Sequence, residues 1–353
     1  MEKIKAINYS IVFKQDRYEP LIDFLNKSDY SSLFVLVDEH TKQHCLPHFK
    51  SNVPFDFQII TIPFGEHHKT LETCVSVWNT LEKVKADRKS ILINIGGGMV
   101  TDIGGFIAAT FKRGIQFINI STSLLGMVDA SVGGKTGIDF NGLKNQIGVF
   151  ANPEMVLIDV TYLKTLPKRE LVSGMAEVIK YAITYDLNLW SYLKTSMNIE
   201  TLDLPKIIHR SISIKNEVVN KDPKEQSLRK ILNYGHTIGH AIETYFLQSN
   251  TKKTLTHGEA IAIGMICETY ISSILFNFPK KKLEILKKYI LSLFGKMNLD
   301  KNEFETILKL MKHDKKNIKG EIRFVLLNDI ADHKIDCKVS TSLIIDSLDY
   351  YLA

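Results

Sequence analysis

The chain has 353 residues, 24% of them charged and 44% hydrophobic, enough for full hydrophobic cores in about two domains. Its 45 basic against 39 acidic residues give a net charge of +6, spread too evenly for a nucleic-acid surface and compatible with small anionic partners. Cys45, Cys74, Cys267 and Cys337 are widely separated and form no CxxC pair, which argues against a disulfide framework or a thiolate zinc site and for a cytoplasmic protein.

The opening MEKIKAINYSIVFKQDRYE has no apolar core of signal-peptide length. The runs at 32–39, 57–63, 91–96, 117–122 and 155–160 are short, rich in Val and Ile and bounded by turn residues, so they read as strands. The stretches 71–86 and 99–111 suit helices, and strands alternating with helices imply a largely parallel, doubly covered sheet. Beyond about residue 165 the pattern changes to long amphipathic segments, among them KRELVSGMAEVIKYAIT, LPKIIHRSISIKNEVV and KKLEILKKYILSLFGKM. A late strand-like run, 322–329, interrupts them. The apolar stretch GEAIAIGMICETYISSILFNF carries Glu259 and Glu268, so it reads as a buried helix and not a membrane span. The expected architecture is an α/β, Rossmann-like domain over 1–165 and a mostly helical domain over 166–353, with the ligand between them.

Gly96, Gly97 and Gly98 follow a strand and precede a helix, which lets backbone N–H groups approach a pyrophosphate at the helix N-terminus. The match to GxGxxG is imperfect, since Met99 to Asp102 stand where the third glycine would come. A second glycine cluster over 124–148 offers Asp129, Lys135, Lys144 and Asn145 together with backbone amides, a setting for phosphate or carboxylate, although GGKTG lacks the Walker A spacing.

Glu177, His236, His240 and His257 come from three separated segments and suggest one metal ion with an open coordination position. Arg229, Asn233, His236, His240 and Glu243 are spaced by four, three, four and three, a polar stripe if they share one helix. The residues alone leave open which two of the three imidazoles bind.

Over nearly its whole length the chain resembles the 3-dehydroquinate synthases. The blocks are PFGEHHKTLE, NIGGGMVTDIGGFIAATFKRG, STSLLGMVDASVGGKTGIDFNGLKNQIG, LPKRELVSGMAEVIKY, LNYGHTIGHAIE, HGEAIAIGM and DKKN, in that order. The resemblance implies a tightly held NAD and one divalent metal, usually zinc, with cobalt as the alternative. It implies Glu177, His236 and His257 as ligands, leaving His240 to face the substrate. It implies NAD contacts at Asp38, Glu66, Lys69, Gly97, Gly98, Asp102, Thr122 and Ser123, with Asp129 and Lys144 at the cofactor–substrate boundary. Substrate contacts fall on Asp129, Lys135, Asn145, Lys180, Lys215, Arg229, Asn233, His240 and Lys316, with Arg113 reaching a neighbouring subunit in a homodimer. The implied reaction turns 3-deoxy-D-arabino-heptulosonate 7-phosphate into 3-dehydroquinate and phosphate. Departures are Ser121-Thr122-Ser123 for the common Pro-Thr-Thr, Gly126 and Ala130 for Ala and Ser, and a longer segment between His240 and His257. Polyol dehydrogenases and other sugar phosphate cyclases are the rival readings. The cation set of Lys135, Lys144, Lys180, Lys215 and Arg229 favours a multiply anionic substrate, and Arg229 with Asn233 favours one bearing a carboxylate.

Overall fold

The computed structural model describes residues 3–14, 18–141, 143–249, 252–312 and 322–353. It divides into two units, Met1–Pro167 and Lys168–Ala353.

The first unit contains β1 (Ile4–Lys5), β2 (Ser10–Phe13), α1 (Glu19–Lys27), β3 (Leu33–Asp38), α2 (Glu39–His44), α3 (Leu46–Asn52), β4 (Gln58–Ile62), α4 (Leu71–Lys83), β5 (Ile91–Gly96), α5 (Gly98–Thr110), β6 (Gln116–Ser121), β7 (Lys135–Phe140), β8 (Leu143–Phe150) and β9 (Met155–Ile158). Seven strands form one sheet in the order β1-β2-β9-β6-β5-β3-β4. All its neighbours run parallel except β1 and β2. Every residue of β3, β5 and β9 is buried, which is why these strands read as nearly continuous apolar runs without alternation. Leu36, Ile60, Leu92, Val100, Ile103 and Ile107 belong to the core between the sheet and its helices α4 and α5. β5 and β6 pair in register up to Gly96 and Ser121, so the glycine turn and the Thr122–Ser123 segment leave the sheet side by side at its C-terminal edge. Open parallel sheets bind ligands at that edge.

Much of the second glycine cluster lies in a hairpin: β7 and β8 pair antiparallel, with an irregularity between Ile138 and Phe140. Its Gly137 and Gly148 face each other, and a Cβ on Gly137 would lie 2.6 Å from Ile147 O.

The second unit contains α6 (Lys168–Thr184), α7 (Leu187–Leu193), α8 (Leu204–Lys221), α9 (His236–Gln248), α10 (His257–Leu275), α11 (Lys280–Phe294), α12 (Phe304–Lys312), a hairpin of β10 (Phe324–Asp329) and β11 (Asp332–Cys337), and α13 (Thr341–Leu352). Helix α10 is long and apolar enough to cross a membrane by composition, yet most of it is buried within the protein. Its two acidic groups are used inside the fold. Glu259 pairs with Arg169, and Glu268 is wholly buried against the start of α9.

One expectation fails here. The single helix anticipated over Arg229–Glu243 is two pieces: a 3₁₀ turn over Leu228–Asn233, then α9 from His236. Gly235 between them is left-handed (φ 77°, ψ −13°), a conformation that ends one helix and cannot sit inside another. The polar stripe is therefore bent, with Arg229 and Asn233 on one limb and His236, His240 and Glu243 on the other.

Candidate active site

In the first unit the glycine turn leads into α5, with Gly97 at the N-cap and Gly98 as first residue. A Cβ on Gly97 would lie 3.2 Å from Ser123 Oγ, and one on Gly98 would lie 2.9 Å from Ala130 Cβ. A side chain at Gly98 would have to displace Ala130, and one at Gly97 would press on the Ser123 hydroxyl. Gly126, one of the departures, has a local reason: a Cβ there would meet Ser121 Oγ at 2.2 Å. The two departures accommodate each other.

A charged cluster lies close by in sequence and space. Lys69 is buried, and its Nζ donates to Asp102 Oδ2 on α5 and to Asn145 Oδ1 on the hairpin, both at 2.6 Å. Glu66 lies 3.8 Å from Lys69 and accepts Lys144 Nζ at 3.3 Å. Five expected residues (Glu66, Lys69, Asp102, Lys144 and Asn145) thus converge. Burial works against charge on Lys69, but Asp102, Glu66 and Asp139 outweigh it and raise its pKa, so it stays an ammonium. Asp139, absent from the sequence expectations, accepts the Asn145 N–H at 2.7 Å and donates its own N–H to Lys69 O at 2.8 Å. It supports Asn145 in a left-handed conformation, φ 52°.

The other expected residues of this unit lie elsewhere. Asp38 ends β3 and caps α2, its Oδ1 accepting from Thr41 N and Thr41 Oγ1. Asp129 sits in a π-helical turn over Gly126–Ala130, and Lys135 opens β7. Thr122 is buried beside the glycine turn, its N–H donating to Gly96 O. Arg113 follows Lys112 in a tight turn where both have positive φ, 69° and 48°. Non-glycine residues in that region cost about 1 kcal/mol or more each, strain that clusters at functional sites.

In the second unit Glu177 and Lys180 lie on α6, both fully buried and hydrogen-bonded to each other through Glu177 Oε2. The other carboxylate oxygen, Oε1, is buried with no hydrogen bond among the described residues. It faces His236 Nε2 at 3.4 Å and His257 Nε2 at 3.5 Å. Those separations match the edges of a tetrahedron around an ion with bonds of about 2.0–2.1 Å. Both imidazoles have their second nitrogen occupied: His236 Nδ1 lies 3.0 Å from Tyr234 O, and His257 Nδ1 lies 3.2 Å from Glu243 Oε2. Such partners fix ring orientation and leave Nε2 for a metal. Burial disfavours charge on His257, but the carboxylates of Glu243 and Glu177 prevail and raise its pKa to about 9.

His240 adjoins this trio, its ring 5.0 Å from His236 and 5.9 Å from His257 by centroid. With Glu243 and His257 it makes a second possible grouping. That grouping shares His257, whose Nδ1 is bonded to Glu243 and whose Nε2 faces Glu177, so the geometry favours the first.

The helices meet here through small residues. A Cβ on Gly258 would lie 2.0 Å from Ser173 O, and the Gly258 N–H donates to Ser173 Oγ at 3.0 Å. Gly258 follows His257, and Ser173 precedes Glu177 by one turn, so this contact sets the approach of the two ligand-type groups. Lys215 is buried on α8. Arg229 is held by Asp222, which accepts the N–H groups of Gln226, Ser227 and Arg229, and by Pro223 O at 2.7 Å from Nη1. Asn233 donates to Glu225 Oε1 at 2.6 Å, and Glu225 has φ 58°. Glu225 escaped the sequence reading, although it stands four residues before Arg229 and extends the same spacing. Lys316 lies outside the described residues.

Residues 59–173 match the 3-dehydroquinate synthase N-terminal family and residues 174–317 the 3-dehydroquinate synthase C-terminal family. The 3-dehydroquinate synthase of Parabacteroides distasonis is 40% identical over 345 residues, covering 97% of each chain. The chain belongs to the 3-dehydroquinate synthase family. Among solved structures, 2-deoxy-scyllo-inosose synthase complexed with carbaglucose-6-phosphate, NAD+ and Co2+ has a TM-score of 0.85 at 22% identity, with 99% of each chain covered. The 2-epi-5-epi-valiolone synthase of Streptomyces hygroscopicus subsp. jinggangensis, with NAD+ and Zn2+ bound, has a TM-score of 0.85 at 23% identity, covering 100% of this chain and 99% of its own. At such identities these two establish the shared fold.

Proposed function

We propose that the chain catalyses the 3-dehydroquinate synthase reaction, converting 3-deoxy-D-arabino-heptulosonate 7-phosphate to 3-dehydroquinate and inorganic phosphate. The observation that carries this reading is the buried Glu177 Oε1 facing two oriented imidazoles, in a chain that matches a member of that family over 97% of its length. NAD, when bound, supplies a transient oxidation of carbon 5 that acidifies the proton on carbon 6, and a divalent ion, zinc or cobalt, polarises the adjoining oxygen.

The chain's own groups bind, orient and move protons. Gly97 and Gly98 at the start of α5 receive the pyrophosphate, and the Glu66–Lys69–Asp102 cluster, with Asp38, Thr122 and Ser123, holds the rest of the nucleotide. Glu177, His236 and His257 hold the ion. Lys180 keeps a cation beside the reacting hydroxyls, and His240 shuttles the proton of the carbon 5 alcohol. Lys215, Arg229 and Asn233 take the carboxylate end of the substrate; Lys135, Asn145 and Lys316 take its phosphate, with Asp129 and Lys144 where substrate and nucleotide adjoin. The departing phosphate removes the carbon 6 proton as its own bond to carbon 7 breaks. Return of the hydride to carbon 5 would restore its alcohol, and ring opening and an aldol closure would then complete the carbocycle with no net redox change. Arg113 completes the phosphate site of a second copy in a homodimer, presented by its strained turn. The four free cysteines suit the cytoplasm.

Incubation with the heptulosonate phosphate and catalytic NAD tests this. Stoichiometric phosphate release without lasting NADH absorbance is expected. Stoichiometric NADH formed from glycerol would make the chain a polyol dehydrogenase, and turnover only of sugar phosphates lacking a carboxylate would move it among the other cyclases.

A further inference from the structure

Helix α9 starts without the usual means of satisfying its first N–H groups. Its N-cap is Gly235, which has no side chain to accept them, where Ser, Thr, Asp or Asn is ordinarily found. A side chain is impossible at that point for a packing reason. A Cβ on Gly235 would lie 2.6 Å from Met265 Cγ and 3.2 Å from Ile261 O, and a Cβ on Gly264 would lie 1.9 Å from Gly235 O. The backbones of α9 and α10 approach so closely that the cap must come from elsewhere.

It comes from α10 itself. Glu268, wholly buried, accepts the Gly235 N–H through Oε2 at 2.7 Å. Its Oε1 accepts the Thr237 and Ile238 N–H groups at 3.2 and 3.3 Å. One carboxylate thus performs both halves of a capping box across two helices, with its negative charge at the positive end of α9. The next residue, Thr269, shares a hydrogen bond with the Tyr234 hydroxyl. Residues on both sides of His236 are therefore tied to adjacent positions of α10. The same helix begins with His257, about three turns earlier.

We propose that Glu268 is a positioning residue of the metal centre, pinning the helix that begins with His236 to the helix that begins with His257 and so fixing the separation of the two imidazoles. This rests on the reading that Glu177, His236 and His257 hold the ion. Removing the clamp loosens that separation without touching a ligand. Groups hydrogen-bonded directly to a ligand change metal affinity on the order of 10–100-fold when lost, and a clamp acting through the backbone on either side of His236 is expected at the lower end of that range.

The test compares wild type, Glu268→Gln and Glu268→Asp as full chains, with Ser272→Ala as the control. Ser272 Oγ lies one turn further along α10 and accepts the Leu327 N–H at 3.0 Å, so its loss weakens the same helix away from the metal. Zinc affinity is measured by chelator competition, and the ligand-field absorption is recorded with Co2+ in place of zinc. The expected result is a dissociation constant raised on the order of tenfold or more and an altered Co2+ spectrum in Glu268→Gln, with Ser272→Ala like wild type in both. Wild-type affinity and spectrum in Glu268→Gln, or equal losses in Ser272→Ala, would overturn the proposal. Should Glu268→Gln not fold, Glu268→Asp decides by the same two measures, since it keeps the charge but is too short to reach all three N–H groups. Wild-type protein that binds no zinc would defeat the metal reading itself, whereas tight zinc in wild type with unchanged variants defeats only the role of Glu268.

Discussion

A single absent methyl group lets Glu177 and His257 approach each other. Gly258 follows His257 and rests against the backbone of Ser173, where a Cβ would come within 2.0 Å of the carbonyl oxygen and 2.6 Å of its carbon. The obstacle is backbone, so α6 and α10 would have to move apart, carrying Glu177 from His257. Gly258→Ala is expected to destabilise the fold by about 1–3 kcal/mol and to lose zinc; full zinc content by elemental analysis would show that the trio tolerates that displacement. The three histidines separate at the same scale. His257→Ala is expected to abolish zinc binding, and His240→Ala to retain it while turnover falls. Full zinc in the first variant would transfer the ligand role to His240. The difference rests on what holds each ring: Glu243 and Tyr234 O engage Nδ1 of His257 and His236 and leave their Nε2 atoms toward Glu177.

At the scale of elements, loops and helices of the first unit are tied by one buried carboxylate, Asp159, which follows β9. It accepts from the Tyr18 hydroxyl at 2.9 Å and the Thr161 hydroxyl at 2.6 Å, and lies 2.8 Å from His48 Nε2 on α3 and 3.2 Å from Lys14 Nζ. Burial alone would favour its neutral form, but these donors prevail and lower its pKa. A carboxylate whose pKa is lower folded than unfolded adds stability above its unfolded value, about 3.9, and that share is lost as pH falls through the folded value. Asp159→Asn is therefore expected to cost about 1–3 kcal/mol near neutral pH, with the gap to wild type closing below about pH 4. Urea midpoints at both pH values check it, and a gap that widened in acid would assign the shift the wrong sign.

The same scale shows what the chain's chemistry disclosed and what it hid. Fully buried β3, β5 and β9 are legible because no face of them meets water, so apolar residues run nearly unbroken, with Asn94 inside β5 and Asp38 at the end of β3 as the polar exceptions. The β7–β8 hairpin is not, because its glycines exist for the close approach of Gly137 to Gly148 and imitate a loop. The break at Gly235 hides behind polar spacing that stays regular across it, since a left-handed residue leaves no trace in periodicity. Glu268 is hidden for the opposite reason. In an apolar helix its charge signals that the segment is not a membrane span, but its three N–H partners belong to residues 30 to 33 positions away.

For the whole molecule, the chain divides into Met1–Pro167 and Lys168–Ala353. Neither unit shows why Arg113 should be spent in a turn with two successive left-handed residues. A role in a second copy gives that strain a purpose, and in a dimer with twofold symmetry each site would then need one residue from each chain. Arg113→Ala and Lys180→Ala are each expected to be nearly inactive alone. Mixed in equal amounts after dissociation and reassociation, half of the dimers are hybrids, and each hybrid has one site with both residues intact and one with neither. Activity should return to about a quarter of wild type. No recovery, with hybrids demonstrated by differently tagged chains, would place Arg113 in the site of its own subunit.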